Sequence, residues 1–405
     1  VTTVQRSRLK RRLLPLQAAA FLQGVGFWVP VEKLFMNEIG FDAASIGLMA
    51  AAYAAIVPVI EVPSGILADR WSRRGVLVLS SVALMVSALL GGLSHSVPMY
   101  FLSALALGVF FAMYSGTMDA VVYDTVLEET GDSDGFERQL GRVRLVNSAA
   151  LVTSALAGGA LAGLAGTRTT YLVTVPFVAL SIVALLRFTE PQLHRATGTT
   201  SLSAHVALTC RTLTRGGRLL PVVTMAVLAA LILQLLLEFG PLWLVAPAAP
   251  ALLYGPYWAG LVSALGLGGL LAGKLDLDRP RTAAAVAVLM TAAGLTLTTS
   301  AHVLVVTGAQ ILLALLVVAA SIHVSRLLHD AVPATVRTGV ASGVSTLSWI
   351  AFLPVAIVFG LVSERHGVHT GGWMFVAVTV AAGLLVSAQA WRGARGTAPG
   401  CRPGT

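Results

Sequence analysis

The chain has 405 residues, 56% hydrophobic and only 11% charged, with 27 Lys and Arg against 18 Asp and Glu and a mean hydropathy of +0.84. A water-facing surface takes about 25% charged residues, so this composition excludes a soluble enzyme and a disordered chain; two cysteines, Cys210 and Cys401, make no disulfide scaffold. The net charge of +9 is no nucleic-acid footprint, because no basic stripe is interleaved with aromatics.

Apolar stretches long enough to cross a bilayer fall at 13–35, 44–66, 76–94, 98–122, 143–165 and 170–187. A second set follows at 219–244, 256–276, 282–300, 303–327, 337–361 and 372–391. The predicted fold is an all-α membrane protein with twelve transmembrane helices in two pseudo-symmetric six-helix bundles. With both termini inside, only Lys33, Arg168 and Arg365 of the 27 basic residues fall outside, as positive-inside topology requires. The first span follows a basic run, RSRLKRR, but outlasts a signal-peptide core and lacks a cleavage site, so it is read as retained. The polar, Thr-rich stretch 188–218 splits the chain near its midpoint. The expected organisation is a bundle at 1–187, a cytoplasmic linker at 188–218, a bundle at 219–392 and a tail at 393–405, a plan of two related halves.

Ionisable groups at membrane depth are functional candidates by default. In span 2, Tyr53, Val57, Glu61, Gly65 and Asp69 recur every four residues and share one face. Glu61 lies about 12 Å deeper than Asp69 at 1.5 Å per residue, where a carboxyl can load and release protons. Asp119 in span 4 is a second proton candidate, with static pairing to Arg142 or Arg144 as the alternative; Glu238, one turn after Gln234 in span 7, is a third. Glu32 and Lys33 suit an interfacial ion pair, and Arg326 a pair with Asp330 one turn on. Gln23, Trp28, Tyr53, Asn147, Gln234, His323 and Trp349 are expected to line a cavity for a largely apolar ligand. The stretch Gly268–Lys274 fits a phosphate-loop spacing, but Leu275 replaces the required Ser or Thr and no strand precedes it. No metal or cofactor is expected.

The loop after span 2 reads GILADRWSRRG, with Gly65, Asp69, Arg70, Arg73, Arg74 and Gly75. It resembles the signature loop of the major facilitator superfamily, with Ser72 where the pattern usually has Gly. EVPSGILADRWSRR and the stretch Ser115 to Val126 look like a bacterial efflux branch of that superfamily. The resemblance implies that Gly65, Asp69, Arg70, Arg73 and Arg74 form a conformational latch with a span-4 carboxylate, by position Asp124. A copy between spans 8 and 9 is degraded to Gly269, Asp278, Arg279 and Arg281.

The expected function is a secondary transporter of the bacterial inner membrane, not an enzyme. It would act as a monomer, exporting a small hydrophobic or cationic organic compound in exchange for protons through Glu61, Asp119 and Glu238. An importer or facilitator of a metabolite, and a non-transporting membrane sensor or assembly partner, are the alternatives.

Overall fold

A computed structural model describes residues 3–131, 136–191, 219–272, 274–331 and 337–396. Most of the expected linker, with Cys210, and the end of the expected tail, with Cys401, lie outside the described residues. Every regular element among the described residues is a helix, as lipid demands of an open chain whose backbone must satisfy its own hydrogen bonds.

In chain order the helices are α1 (Thr3–Gly24), α2 (Glu32–Glu38), α3 (Ala43–Arg70), α4 (Arg73–Leu93), α5 (Val97–Thr130), α6 (Phe136–Ala165) and α7 (Thr167–Leu186). There follow α8 (Leu220–Phe239), α9 (Leu242–Val245), α10 (Ala251–Ala272), α11 (Pro280–Thr299), α12 (Val303–Asp330), α13 (Arg337–His366) and α14 (Val368–Gly396). Eleven segments among the described residues are long and apolar enough to cross a membrane. The place of the expected 256–276 span is taken by α10, whose 22 residues reach about 33 Å. The chain divides into two compact units, Val1–Thr199 with Ala248–Val262, and Thr200–Pro247 with Ser263–Thr405.

Two spans expected to be continuous are broken. The first runs as α1, stops at Gly24 and resumes in a 3₁₀ turn, Val29–Val31, before α2. Gly26 and Phe27 leave the helical ladder, and their N–H groups donate to the hydroxyls of Ser154 on α6 and Thr174 on α7, each at 3.2 Å. Those two hydroxyls make the break tolerable in hydrocarbon. The seventh span is interrupted more gently at Gly240 and Pro241, between α8 and α9, both of which keep helical dihedrals. There the amide of Gln310 on α12 donates to the Gly240 carbonyl at 3.2 Å, and the Trp243 indole donates to Leu297 O at 2.9 Å.

Close packing holds each unit. In the first, Leu13, Leu16, Leu77, Met118, Val121, Val126, Val143 and Leu185 form one buried cluster from α1, α4, α5, α6 and α7. In the second, Val222, Val223, Met225, Val324, Leu328, Val340 and Val344 join α8, α12 and α13. Lipid gives such helices no hydrophobic reason to associate, so contact quality and small residues decide. Gly158 shows it: a Cβ there would sit 2.2 Å from the Phe27 carbonyl oxygen, so α6 reaches the break only because the position carries no side chain. Asp42 starts α3 with a reciprocal cap, accepting from Ser45 N at 2.7 Å while its own N–H donates to Ser45 Oγ at 2.9 Å.

Gly158→Ala should lower stability by about 1–3 kcal/mol through overpacking, whereas Gly163→Ala, with nothing within 4 Å of its Cβ position, should be neutral or mildly stabilising. Thermal unfolding in detergent separates the two. The hydroxyl and backbone N–H of Ser45 hold the Asp42 carboxyl below its usual range. The cap's contribution is therefore complete above the unfolded carboxyl's value and fades as pH falls through the lower folded one. Asp42→Ala should cost about 1 kcal/mol near neutral pH and converge with the parent in strong acid.

Candidate functional site

Charged side chains concentrate where α3 turns into α4. Ser72 caps α4, accepting from Gly75 N at 2.9 Å. Its hydroxyl also donates to Glu190 Oε2 at 2.6 Å, while Arg73 N donates to Glu190 Oε1 at 2.6 Å. A carboxylate thus sits on the positive end of α4, and Ser72, the departure from the family pattern, is one of the groups that holds it. The Arg73 guanidinium ion-pairs with Asp124 on α5 and donates to Ala120 O at 3.3 Å. Arg74 donates to Phe188 O at 3.2 Å. Arg12 on α1 reaches Glu128 at 3.1 Å and Glu129 at 2.7 Å, at the end of α5. The side chains of Asp69 and Arg70 lie outside the described residues, and nothing stands within 4 Å of a Cβ at Gly65.

Deeper along the helices the expected candidates separate. The Glu61 carboxylate is half-buried and makes no hydrogen bond or ion pair among the described residues; its carbonyl accepts from Ser64 at 3.0 Å. Asp119 pairs with Arg144 on α6 at 2.9 Å, both side chains exposed. An exposed pair at membrane depth needs water around it, since lipid cannot solvate it. On α8, Gln234 and Glu238 are both half-buried, and the Gln234 carbonyl oxygen is buried without a partner among the described residues.

Several of the expected cavity residues make contacts with neighbouring helices. Gln23 is buried and donates to Ser81 at 2.7 Å, its own carbonyl oxygen unpartnered among the described residues. Asn147 donates to Ala20 O at 2.8 Å and ties α6 to α1. Trp28 is buried and stacked on Tyr171 at 5.3 Å. Tyr53 meets Phe111 edge-on at 6.1 Å, where α3 packs on α5, and Trp349 meets Phe352 at 6.4 Å. In the two broken spans Gln23 and Glu238 stand in register, each five residues before a tryptophan, Trp28 or Trp243.

The second unit carries a counterpart of the α3–α4 turn with its charges exchanged. Asp278, in the turn before α11, ion-pairs with Arg326 on α12, and His323 Nε2 lies 3.9 Å from the same carboxylate. In the first unit the loop supplies the base and the long helix the acid; in the second the loop supplies the acid. The side chain of Asp330, the partner expected for Arg326, lies outside the described residues; Asp278 is a partner of Arg326 in the structure. Sequence reasoning passes over Glu190, although Glu190 is the sole acid in 188–218 and directly follows span 6. Among the described residues no His, Cys, Asp and Glu cluster could hold a metal.

The sequence profile of the Major Facilitator Superfamily matches residues 13–351. Multidrug resistance protein 1 of Bacillus subtilis is 26% identical over 174 residues, 43% of this chain and 43% of that protein, so the alignment spans less than half the relative. A bacterial homolog of the human lysosomal transporter Spinster superimposes with a TM-score of 0.75 over 98% of both chains at 15% identity. The nucleoside transporter NupG does so at 0.71 over 94% of this chain and 98% of its own, also at 15% identity. At that identity the structural likeness speaks for the fold alone.

The two ion pairs should respond differently to neutralisation. Asp124 is only 6% exposed and Arg73 15%, so Asp124→Asn removes the carboxylate charge facing a largely buried guanidinium and should cost about 3 kcal/mol. Asp278 is 58% exposed and Arg326 56%, and Asp278→Asn should cost less than about 1 kcal/mol. Comparing melting of the two variants in one detergent checks the ranking.

Proposed function

The chain belongs to the Major Facilitator Superfamily, and from that premise we propose that it is a proton-coupled antiporter exporting a small hydrophobic or cationic organic compound. It would work as a monomer in a bacterial inner membrane, with both termini cytoplasmic, bundles at 1–187 and 219–392, and 188–218 joining them. Its work is transport rather than catalysis.

The observation that carries the coupling is Glu61. A carboxyl half-buried in a membrane-crossing helix, without a partner among the described residues, has nothing to hold it permanently ionised. Lipid-depth burial favours its neutral form while water access allows release. Protonation from outside and release inside would then alternate with substrate binding. Asp119, exposed beside Arg144, supplies a second acid whose charge is already offset, which suits gating better than proton carriage. Glu238 stands where the first half has the neutral Gln23, so only the second half has an acid at that register.

Export is supported by the resemblance of the loop and by the relative named a multidrug resistance protein. The turn of Ser72, Arg73, Asp124 and Glu190 fits a latch that must form and release once per cycle. A bidentate carboxylate on a helix end and a buried ion pair hold it in one state, and both are reversible.

Inverted membrane vesicles carrying an imposed pH gradient test the proposal. Addition of hydrophobic cations such as tetraphenylphosphonium should dissipate the gradient, and Glu61→Gln should reduce that response to the level of vesicles lacking the protein. An unchanged response in Glu61→Gln removes Glu61 from the coupling. A panel without any response directs attention to import or to a sensing role.

A further inference from the structure

α7 ends close to Glu190; its first residues, about 30 Å away along the helix, border a cavity of about 310 Å³. That volume is at the small end of the roughly 300–1,000 Å³ typical of ligand pockets. The walls come from four helices. α2 supplies Phe35 and Glu38, α6 supplies Ala162, α7 supplies Thr167 and Arg168, and α10 supplies its first residue, Ala251. All of them belong to the first unit, which takes in 248–262. Glu38 and Arg168 have no part in the cycle proposed above.

The two charges are opposite, and each is held by something other than its counterpart. The Arg168 guanidinium donates to Gly92 O at 2.7 Å and to Ser94 O at 2.9 Å. It also lies over the Phe35 ring, 5.5 Å from the centroid, and has no carboxylate partner among the described residues. Glu38 is exposed. One of its oxygens accepts from the buried hydroxyl of Thr167, and the other has no partner among the described residues. One turn beyond Ala251 on the same face of α10, Tyr254 is fully buried, and its hydroxyl also lacks a partner among the described residues.

An acid and a base that served only to tie α2 to α7 would close on each other, because Coulomb attraction grows as they approach. Here two carbonyls and a ring hold the base, a hydroxyl holds the acid, and the cavity lies between the helices that carry them. A simple ammonium entering it would meet the like charge of Arg168, and a simple anion that of Glu38. A molecule carrying both signs avoids either penalty. We propose that the cavity binds a small zwitterion, with its ammonium on Glu38 and its anionic group on Arg168. Free amino acids and the ethanolamine-phosphate headgroup of a lipid share that chemistry. Such an occupant touches α2, α6, α7 and the start of α10 together, so its binding would hold these four in their present arrangement. The site does not depend on proton coupling or on the direction of transport.

Calorimetric titration of the full-length protein in detergent tests the site. β-Alanine or glycerophosphoethanolamine should bind saturably. Ethylammonium and propionate, each with only one of the charges, should bind at least about tenfold more weakly. Glu38→Gln keeps an acceptor for Thr167 but loses the charge, and should weaken zwitterion binding by about tenfold or more. Ala251→Leu keeps both charges, fills the cavity and should abolish binding. Nanodiscs distinguish the two sources. Thermal stabilisation by phosphatidylethanolamine over phosphatidylglycerol that is lost in Glu38→Gln, with no binding of the soluble zwitterions, supports the site and makes its occupant a lipid headgroup. Binding of the soluble zwitterions supports it as a site for a free metabolite. Single-charge probes that bind as tightly as the zwitterions, binding that survives either substitution, or no saturable binding and no such stabilisation, overturns the proposal.

Discussion

A backbone N–H or C=O left unpaired in hydrocarbon costs several kcal/mol, and the architecture follows from avoiding that cost. It makes every regular element among the described residues helical. It also explains the two exceptions, because a helix may stop inside the membrane only where something else takes its freed donors. At the first break Ser154 and Thr174 do so, and Gly158 removes the side chain that would keep α6 too far away. At the second the group served is an acceptor, the Gly240 carbonyl, to which the Gln310 amide donates. Both halves interrupt their first span, the first over a longer stretch than the second, and with different hydrogen bonding.

The same accounting separates the charges. Arginines that positive-inside topology needs merely as anchors are built into specific contacts: Arg12 to Glu128 and Glu129, Arg73 to Asp124, Arg74 to a carbonyl. Lys33 and Arg168, basic residues expected outside, are also committed, Lys33 to a carboxylate and Arg168 to two carbonyls over a ring. Against this background Glu61 stands out because it lacks such a commitment among the described residues, and Asp119 because its pair is exposed.

The spans were legible because length and hydropathy are additive properties that survive ignorance of packing. The breaks were less so, though Gly24, Gly26 and Pro30, and later Gly240 and Pro241, stood in the sequence; a hydropathy window averages over them. Polar and aromatic residue type is what singles out Trp28, Gln23 and Asn147 for a cavity, and it says nothing of the contacts that each makes within the first unit. Type alone cannot tell a residue that contacts ligand from one that pairs with the next helix. Glu190 was passed over because it was counted with the linker, where a lone acid carries no pattern. Its meaning depends on the N-terminus of α4 lying within reach, which is tertiary information.

The exchange of charges between the halves shows what a motif comparison measures. Read as letters, the loop before α11 is a poor copy of the loop before α4, keeping Gly269, Asp278, Arg279 and Arg281 but not the spacing. Read as a contact between loop and long helix, it is preserved with acid and base traded: Arg73 to Asp124 in one half, Asp278 to Arg326 in the other. Coulomb attraction is indifferent to which side carries which sign, so either arrangement can tie a loop to a long helix. Burial is not exchanged with it. The first pair is shielded, so opening it exposes charges that have no water to receive them; the second already stands in solvent and separates at little cost. Separating Arg73 from Asp124, beside Ser72 and Glu190, therefore costs more than separating Asp278 from Arg326.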